Sequence, residues 1–475
     1  MVANQLFERA NSEGNMGQPT KRAKLLFLAY SFPPMHTIGA VRTRNIARYL
    51  TRLGWDVTVV TPDPSIWRNV DNSEKVSTEL EREGIQRILT GHRWQCLLPG
   101  GLDHWDQYFG RLVGGMCRTI VRSLGIELHI GWIKAAEQAC STLKPKDVDV
   151  ILASGRPFVA FQLARRLSAR LGRPYVLDYR DPWTENHIVD RLPRPATVRE
   201  EASLLQGCAA VTIVSPSWAE DLDQRYGVGE KVHVVTNGYD PGEMVAVEPY
   251  DFGHCAFVYA GSFYAPKISI SCFLAALKCL KESLSKASKK WYFHYYGAQE
   301  EHVREQAAHY GLSDRIVLHG RVPRREALSA VKGASLAVVI SSVYERSLLK
   351  DKGIIPAKMF EAIGLGTPVL LIAPPGSDAI ALLAPTGLVK SFTGADTQGM
   401  VSFLEDVVCG QAPQPRNIDI CSWRTISKAL DAILRECTSA MCHHDTRDGH
   451  EGRDVPIPKS SCNTSIDPAA KAWGE

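Results

Sequence analysis

The chain has 475 residues, about three times a typical ~150-residue domain, with 45% hydrophobic and 22% charged residues. That suits two or three ordinary globular domains and excludes collagen-like, coiled-coil and mostly disordered classes. Lys and Arg number 55 against 51 Asp and Glu, a formal charge of +4, too weak to argue for nucleic acid as a partner.

In chain order, residues 1–22 are polar and uneven and are read as a disordered leader without the apolar core of a secretory signal. KLLFLAY (Lys24 to Tyr30) is a continuous apolar run of strand length. Val41, Ile46, Leu50 and Leu53 follow near helical spacing, and Gly54 ends the helix. DVTVVT (Asp56 to Thr61) is the next strand, so the segment is a βαβ unit, which predicts a parallel sheet. The rhythm resumes with DVILAS (Asp149 to Ser154), a helix from Phe161 to Leu171, PYVLDYR (Pro174 to Arg180) and AAVTIVS (Ala209 to Ser215). Residues 65–140 break it and are read as a helical insertion. After TNGYDPGE (Thr236 to Glu243) a second α/β series begins. AFVYAGS, WYFHYYG, RIVLHG, SLAVVI and TPVLLI are its strands, with a helix from Ile270 to Leu284. Ser422 to Cys437 is a last amphipathic helix, and the polar stretch from 438 to 475 is read as a disordered tail.

The expected architecture is two doubly wound, Rossmann-like domains facing each other across a cleft: 23–236 with its insertion, then 237–415, then the helix of 416–437. Twelve Cys without framework spacing or a C-x-x-C pair suit a reduced, cytoplasmic protein. No apolar run approaches the ~18 residues of a membrane helix.

In such sheets ligands sit at the carboxyl ends of strands, against helix starts. Gly39, with Arg42 close behind it, therefore suits an anion or an acceptor after the first strand. Ser262 and Lys267 follow the strand FVYAG and offer a hydroxyl and a cation. In KGIIPAKMFEAIGLG, Pro356 suits a first helical position, so Gly353, Ile354 and Ile355 are expected to turn backbone N–H groups toward a phosphate, with Lys358 near. Arg180 and Asp181, in DYRDPW, end a first-domain strand where Asp181 can orient an acceptor hydroxyl or take its proton.

Several blocks together resemble one family. FPP with a following Gly and Arg, GWDVTVVTP, DVDVILASGRPFVAFQLA, PYVLDYRDPWTEN, VTNGYDPGE, FVYAGSFYAPK, RIVLHGRVPRREA and KGIIPAKMFEAIGLGTPVLLIAP occur in order between Lys24 and Leu388. This is similar to the retaining, GT-B-fold glycosyltransferases of family 4, in the group that assembles bacterial surface polysaccharides. The resemblance implies a nucleotide diphosphate sugar donor, a glycan or lipid-linked acceptor, no cofactor and no metal ion, with Lys and Arg meeting the diphosphate. It also implies that Glu361 is the second Glu of the family's E-x7-E motif, holding ribose hydroxyls. The first Glu would stand at Gly353, so sugar recognition departs from the family pattern. A sugar-nucleotide epimerase and a catalytically inactive binding subunit share the architecture. Leu112, Val113, Met116, Ile120, Val121 and Leu124 alternate with Arg111, Arg118 and Arg122, a composition that suits peripheral contact with a membrane.

Overall fold

The computed structural model of the chain describes residues 22–35, 37–66, 73–94, 107–123, 127–185, 193–284, 290–345 and 348–445. The leader read at 1–22, Arg22 apart, and the tail from 446 onward lie outside the described residues. Strands β1 (Ala23–Ala29), β2 (Trp55–Pro62), β3 (Gln86–Thr90), β4 (Val150–Gly155), β5 (Tyr175–Tyr179), β6 (Ala210–Ile213) and β7 (Val232–Val234) form one sheet. Its order is β3-β2-β1-β4-β5-β6-β7, and every pair is parallel. A second parallel sheet, β10-β9-β8-β11-β12-β13, is built from β8 (Cys255–Ala260), β9 (Trp291–Tyr296), β10 (Ile316–Leu318), β11 (Leu336–Ile340), β12 (Val369–Ile372) and β13 (Val389–Phe392). Each sheet reverses its winding once, between β1 and β4 and between β8 and β11, and a crevice opens at the strand carboxyl ends there.

Helices include α1 (Ile38–Arg52), α2 (Gln107–Ser123), α3 (Gly131–Ala139), α4 (Val159–Leu171), α5 (Pro216–Tyr226), α6 (Arg324–Gly333), α7 (Ala357–Gly364) and α8 (Trp423–Asp445). The apolar runs that predict the inner strands exist because both sheet faces are covered; β4 and β12 are buried at every position. β3, β7 and β13 lie at sheet edges, bury little on one side and carry no such run, which is why the sequence pattern misses them. The segment 65–140 is accordingly not a helical insertion throughout. It supplies the helix Ser73–Arg82 and edge strand β3 before α2 and α3.

The chain crosses between the domains twice, and the crossings hydrogen-bond to each other: Tyr239 N–H donates to Cys421 O at 3.0 Å and Trp423 N–H to Tyr239 O at 2.9 Å. After the second crossing α8 packs on the first domain. Trp423, Ile426, Leu430 and Leu434 join Leu25, Phe27, Ile46, Leu50 and Trp55 in one core cluster. Trp55 Nε1–H also donates to Asp431 at 2.6 Å. The helix expected to stop at Cys437 runs on to Asp445, because the hydroxyls of Thr438 and Ser439 donate to Arg435 O and are satisfied within it.

Candidate active site

At the first crevice, three strand ends meet the start of α1. Thr37 caps α1, its hydroxyl accepting from Ala40 N–H at 3.2 Å. Gly39 in the first turn is required by close approach: an added Cβ would lie 1.8 Å from Arg180 Nη1. Arg180, after β5, thus lays its guanidinium on the helix start and reaches Asp181 Oδ2 through Nε at 3.4 Å. Arg156, after β4, approaches the same oxygen at 4.0 Å. Gly39, Arg180 and Asp181 are therefore brought together, and Arg156 joins them.

Arg42 does not join them. It is 2% exposed, and its guanidinium is fully engaged away from the crevice. Nη2 and Nε donate to Asp178 at 2.6 and 3.1 Å, and the remaining N–H groups reach Val235 O, Thr236 O and Asn237 Oδ1. The expectation that Arg42 meets an anion is corrected by this burial. Its partner Asp178, in β5, also accepts from Ser154 and Thr212. Burial alone would raise the Asp178 carboxyl, but Arg42 and the two hydroxyls hold it below the ordinary carboxylate value. The pair fastens α1 and β5 to the chain segment that leaves the first domain. An acid in the middle of an apolar strand is depleted enough to mark such a buried pair.

In the second domain, Ser262 stands exposed after β8, its carbonyl accepting from Tyr259 Oη at 3.1 Å. Gly261 before it has φ 141°, a conformation open to glycine. An added Cβ there would meet Lys358 Nζ at 3.3 Å. Lys358 comes from α7, its ammonium 3.6 Å from the centroid of the Tyr259 ring. By area the residue is half-buried, yet its charged end is well desolvated, which pulls the ammonium down to about 7 against the opposing pull of Glu361. Glu361, one turn on, accepts from Arg324 Nη2 at 2.6 Å, while Arg324 Nη1 bonds Glu243. Ala260, Arg324, Lys358 and Glu361 line one pocket. Ser262, Lys358 and Glu361 are thus neighbours at the carboxyl end of β8, with Arg324 added.

The other expected donor residues are otherwise engaged. Lys267 Nζ bonds Asp351 Oδ1 at 2.6 Å, and Asp351 is 2% exposed, so the cation already serves a buried carboxylate. Gly353 N–H and Ile354 N–H donate back to Leu349 O and Asp351 O, closing the short helix Leu349–Lys352 instead of pointing at a phosphate. Ile354 packs in the first domain's core and Ile355 in the second's. A Cβ at Gly353 would stand 2.3 Å from the indole of Trp218 in α5. That indole donates to Lys350 O at 3.2 Å, and beside it Ser217 bonds Asp378 twice. Residues 353–355 form a seam between the domains, and Trp218 leaves no room for a side chain at position 353. Two Asp-x-Asp sequences have structural work: Asp147 and Asp149 accept from Lys144 N–H and Lys24 N–H, and Asp221 and Asp223 bond Arg225 and Gly229 N–H.

The family model described as a glycosyl transferase 4-like domain matches residues 39–238. Those residues are similar in sequence to that domain. The whole arrangement is the GT-B fold. Sucrose-phosphate synthase from Thermosynechococcus elongatus is similar in structure with a TM-score of 0.54 at 14% identity, over 90% of this chain and 99% of that one. HepE from Anabaena, solved in complex with UDP, gives 0.52 at 13%, over 90% and 100%. A glycosyltransferase from Rickettsia africae gives 0.51 at 12%, over 90% and 97%. No curated protein matches the sequence.

Proposed function

We propose that the protein transfers a sugar from a nucleotide diphosphate sugar to a hydroxyl acceptor, retaining the anomeric configuration and using no metal ion. The observation that carries the reading is the group at the end of β8: Lys358 and Glu361 beside Arg324 around one pocket, with Ser262 exposed just past the strand. Negative charge grows on the leaving diphosphate, and a desolvated ammonium next to a glycine turn is suited to meet it. Glu361 supplies acceptor oxygens for ribose hydroxyls. The acceptor lies against Gly39, Arg180 and Asp181 in the first domain, so residues 23–236 serve the acceptor and 237–415 the donor. HepE binds UDP, and a UDP-sugar is the first donor to try.

The acceptor proposed is a lipid-linked glycan of surface-polysaccharide assembly, met at the cytoplasmic face of a membrane. Among the described residues no helix is long and apolar enough to cross one. α2 exposes Met116 at 60% and Ile120 at 54%, an apolar face able to enter a headgroup layer. Side chains of Arg111, Leu112, Arg122 and Leu124 lie outside the described residues. Flotation with anionic vesicles should carry the protein upward and fail for Met116→Glu/Ile120→Glu; a wild type that never floats removes the membrane contact alone.

The direct test of the donor reading is a melting screen of nucleoside diphosphates and their sugars. A ligand at a hundred times its Kd stabilises by ~2.7 kcal/mol. Lys358→Met and Glu361→Ala should lose most of that shift, since a charge-assisted contact is worth about 1.5–3 kcal/mol. Unchanged shifts in both variants would sink the assignment. A second reading, a GT-B chain that binds a nucleotide sugar without transferring it, is favoured by one observation, the filling of the first-Glu position by Trp218. Binding without release of nucleoside diphosphate in the presence of acceptors would establish it.

A further inference from the structure

We propose that Arg324 is the positioning residue of the donor site, holding the Glu361 carboxylate off the Lys358 ammonium; this deepens the transfer reading above and rests on it. The carboxylate then stays open to a ribose diol and the ammonium to a diphosphate, which commits the site to donors built on a ribonucleoside diphosphate. Lys358 and Glu361 stand three residues apart in α7, neighbouring positions at which a cation and an acid ordinarily pair. Among the described residues that pair is not formed. Lys358 Nζ rests 3.6 Å from the centroid of the Tyr259 ring, and Glu361 Oε1 accepts from Arg324 Nη2 at 2.6 Å. All three charged groups line one pocket beside β8.

Arg324 begins α6, and a cation in the first turn of a helix faces the positive end of its dipole. Two acids from other elements hold it there, Glu361 on Nη2 and Glu243 on Nη1. A guanidinium is a rigid planar fork, so engagement at both ends fixes its orientation. Glu243 lies in the short helix Pro241–Val245, directly after the first crossing between the domains. That helix is fixed at its start. Asp240 accepts from Glu243 N–H at 2.9 Å and from Arg48 Nη1 of α1 at 2.7 Å. A line of hydrogen bonds therefore runs from the first domain through Asp240, Glu243 and Arg324 to the donor carboxylate.

The carboxylate keeps room for a ligand. An ionised carboxylate has about four acceptor positions, and Arg324 fills one of them on Oε1. Glu361 leaves 29% of its side chain exposed, so two vicinal hydroxyls can reach the remaining positions. Burial raises the Glu361 carboxyl and Glu243 acts in the same direction. Arg324 is the strongest group opposing them, ahead of Lys358.

Without the guanidinium, the remaining cation of the pocket is Lys358, and the two groups of α7 swing into the pair that their spacing favours. Both donor contacts then fail together, the carboxylate's to the ribose and the ammonium's to the diphosphate. Arg324 and Glu243 are 38% and 42% exposed, and ion pairs of that kind add little to stability. Their effect is therefore on orientation, and variants at Arg324 should fold.

The test measures binding of UDP, GDP and ADP, and of their 2′,3′-dideoxy forms, to the full chain by calorimetry, with circular dichroism to confirm that each variant is folded. Wild type should prefer the ribose form of its best ligand about ten- to hundredfold, as charge-assisted contacts to the diol require. Arg324→Met should bring that preference to within about threefold of none and weaken the ribose form ~10²-fold or more, since two contacts are lost. Arg324→Lys, which keeps a cation between the acids, should recover part of both. Glu361→Ala loses the diol contact alone, and in the Arg324→Met background it also removes the acid that captures Lys358. The double variant should therefore bind about tenfold tighter than Arg324→Met and match Glu361→Ala, a departure from additivity that identifies coupled groups. A double variant no tighter than Arg324→Met, or an Arg324→Met chain that keeps the wild-type ribose preference, overturns the positioning role and leaves the donor reading standing. A wild type that binds a diphosphate without preferring ribose removes the role of Glu361 and that of Arg324 with it. A wild type that binds none of the three diphosphates overturns the donor reading itself.

Discussion

Asp178→Asn removes the negative half of a pair that is almost wholly out of water. Asp178 is 1% exposed and Arg42 2%, and four donors converge on the carboxylate: Arg42 Nη2 at 2.6 Å, Ser154 Oγ at 2.8 Å, Thr212 Oγ1 at 2.9 Å and Arg42 Nε at 3.1 Å. The amide is nearly the same size, so no cavity forms. What changes is charge: the guanidinium stays buried, held by three neutral acceptors from the segment Val235–Asn237. An uncompensated buried charge costs about 3–5 kcal/mol, whereas an exposed ion pair such as Lys281–Asp314 is worth about 0–1. Urea unfolding followed by tryptophan fluorescence should show the large loss for Asp178→Asn and almost none for Asp314→Asn. The pH dependence has a definite sign. Asp178 is held below its unfolded value of about 4, so its contribution is complete above that value and is lost as pH falls toward the folded one. Acid sensitivity below pH ~4 should therefore flatten in Asp178→Asn. A loss under ~1 kcal/mol would refute the reasoning, since the pair would then be as weak as a surface bridge.

Two further outcomes test the seam between the domains. Gly353→Ala places a methyl 2.3 Å from the Trp218 indole and should destabilise by about 1–3 kcal/mol, as overpacking does, with Trp218→Ala in the same chain recovering part of it in melting experiments. Lys267→Met strands the buried Asp351 and should lower stability more than nucleotide affinity, and adding Asp351→Asn should restore much of it. A Lys267→Met chain with normal melting and lost donor binding would return Lys267 to the phosphate site.

The inner strands were legible because burial on both faces leaves a mark in the sequence itself: an unbroken apolar run such as that of β4 or β12 needs no partner to be recognised. Edge strands β3, β7 and β13 leave no such mark, since what makes Gln86–Thr90 a strand is the backbone of β2 beside it. The candidate site was legible in the same uneven way. Gly39, Asp181, Ser262 and Lys358 are expected from position, because a residue just past a strand or just inside a helix is placed by local structure alone, whereas Glu361 is expected from the family resemblance.

Arg42 and Lys267 show what position alone omits. Each is a cation near a strand end, the feature that suggests an anion site, and each meets an acid from far along the chain. Asp178 is 136 residues from Arg42 and Asp351 is 84 from Lys267. A cation is available to a ligand only if the fold has not already given it a carboxylate, and that depends on topology. Asp178 reaches Arg42 because β5 lies two strands from β1, and the segment after β7 closes over both. Lys358 differs from both, because the nearest acid, Glu361, is itself taken by Arg324, which is bonded in turn to Glu243. Its ammonium rests on the Tyr259 ring beside a glycine turn, with no carboxylate among the described residues in ion-pair contact. That difference in partners is the physical ground for assigning the donor's diphosphate to Lys358 over Lys267.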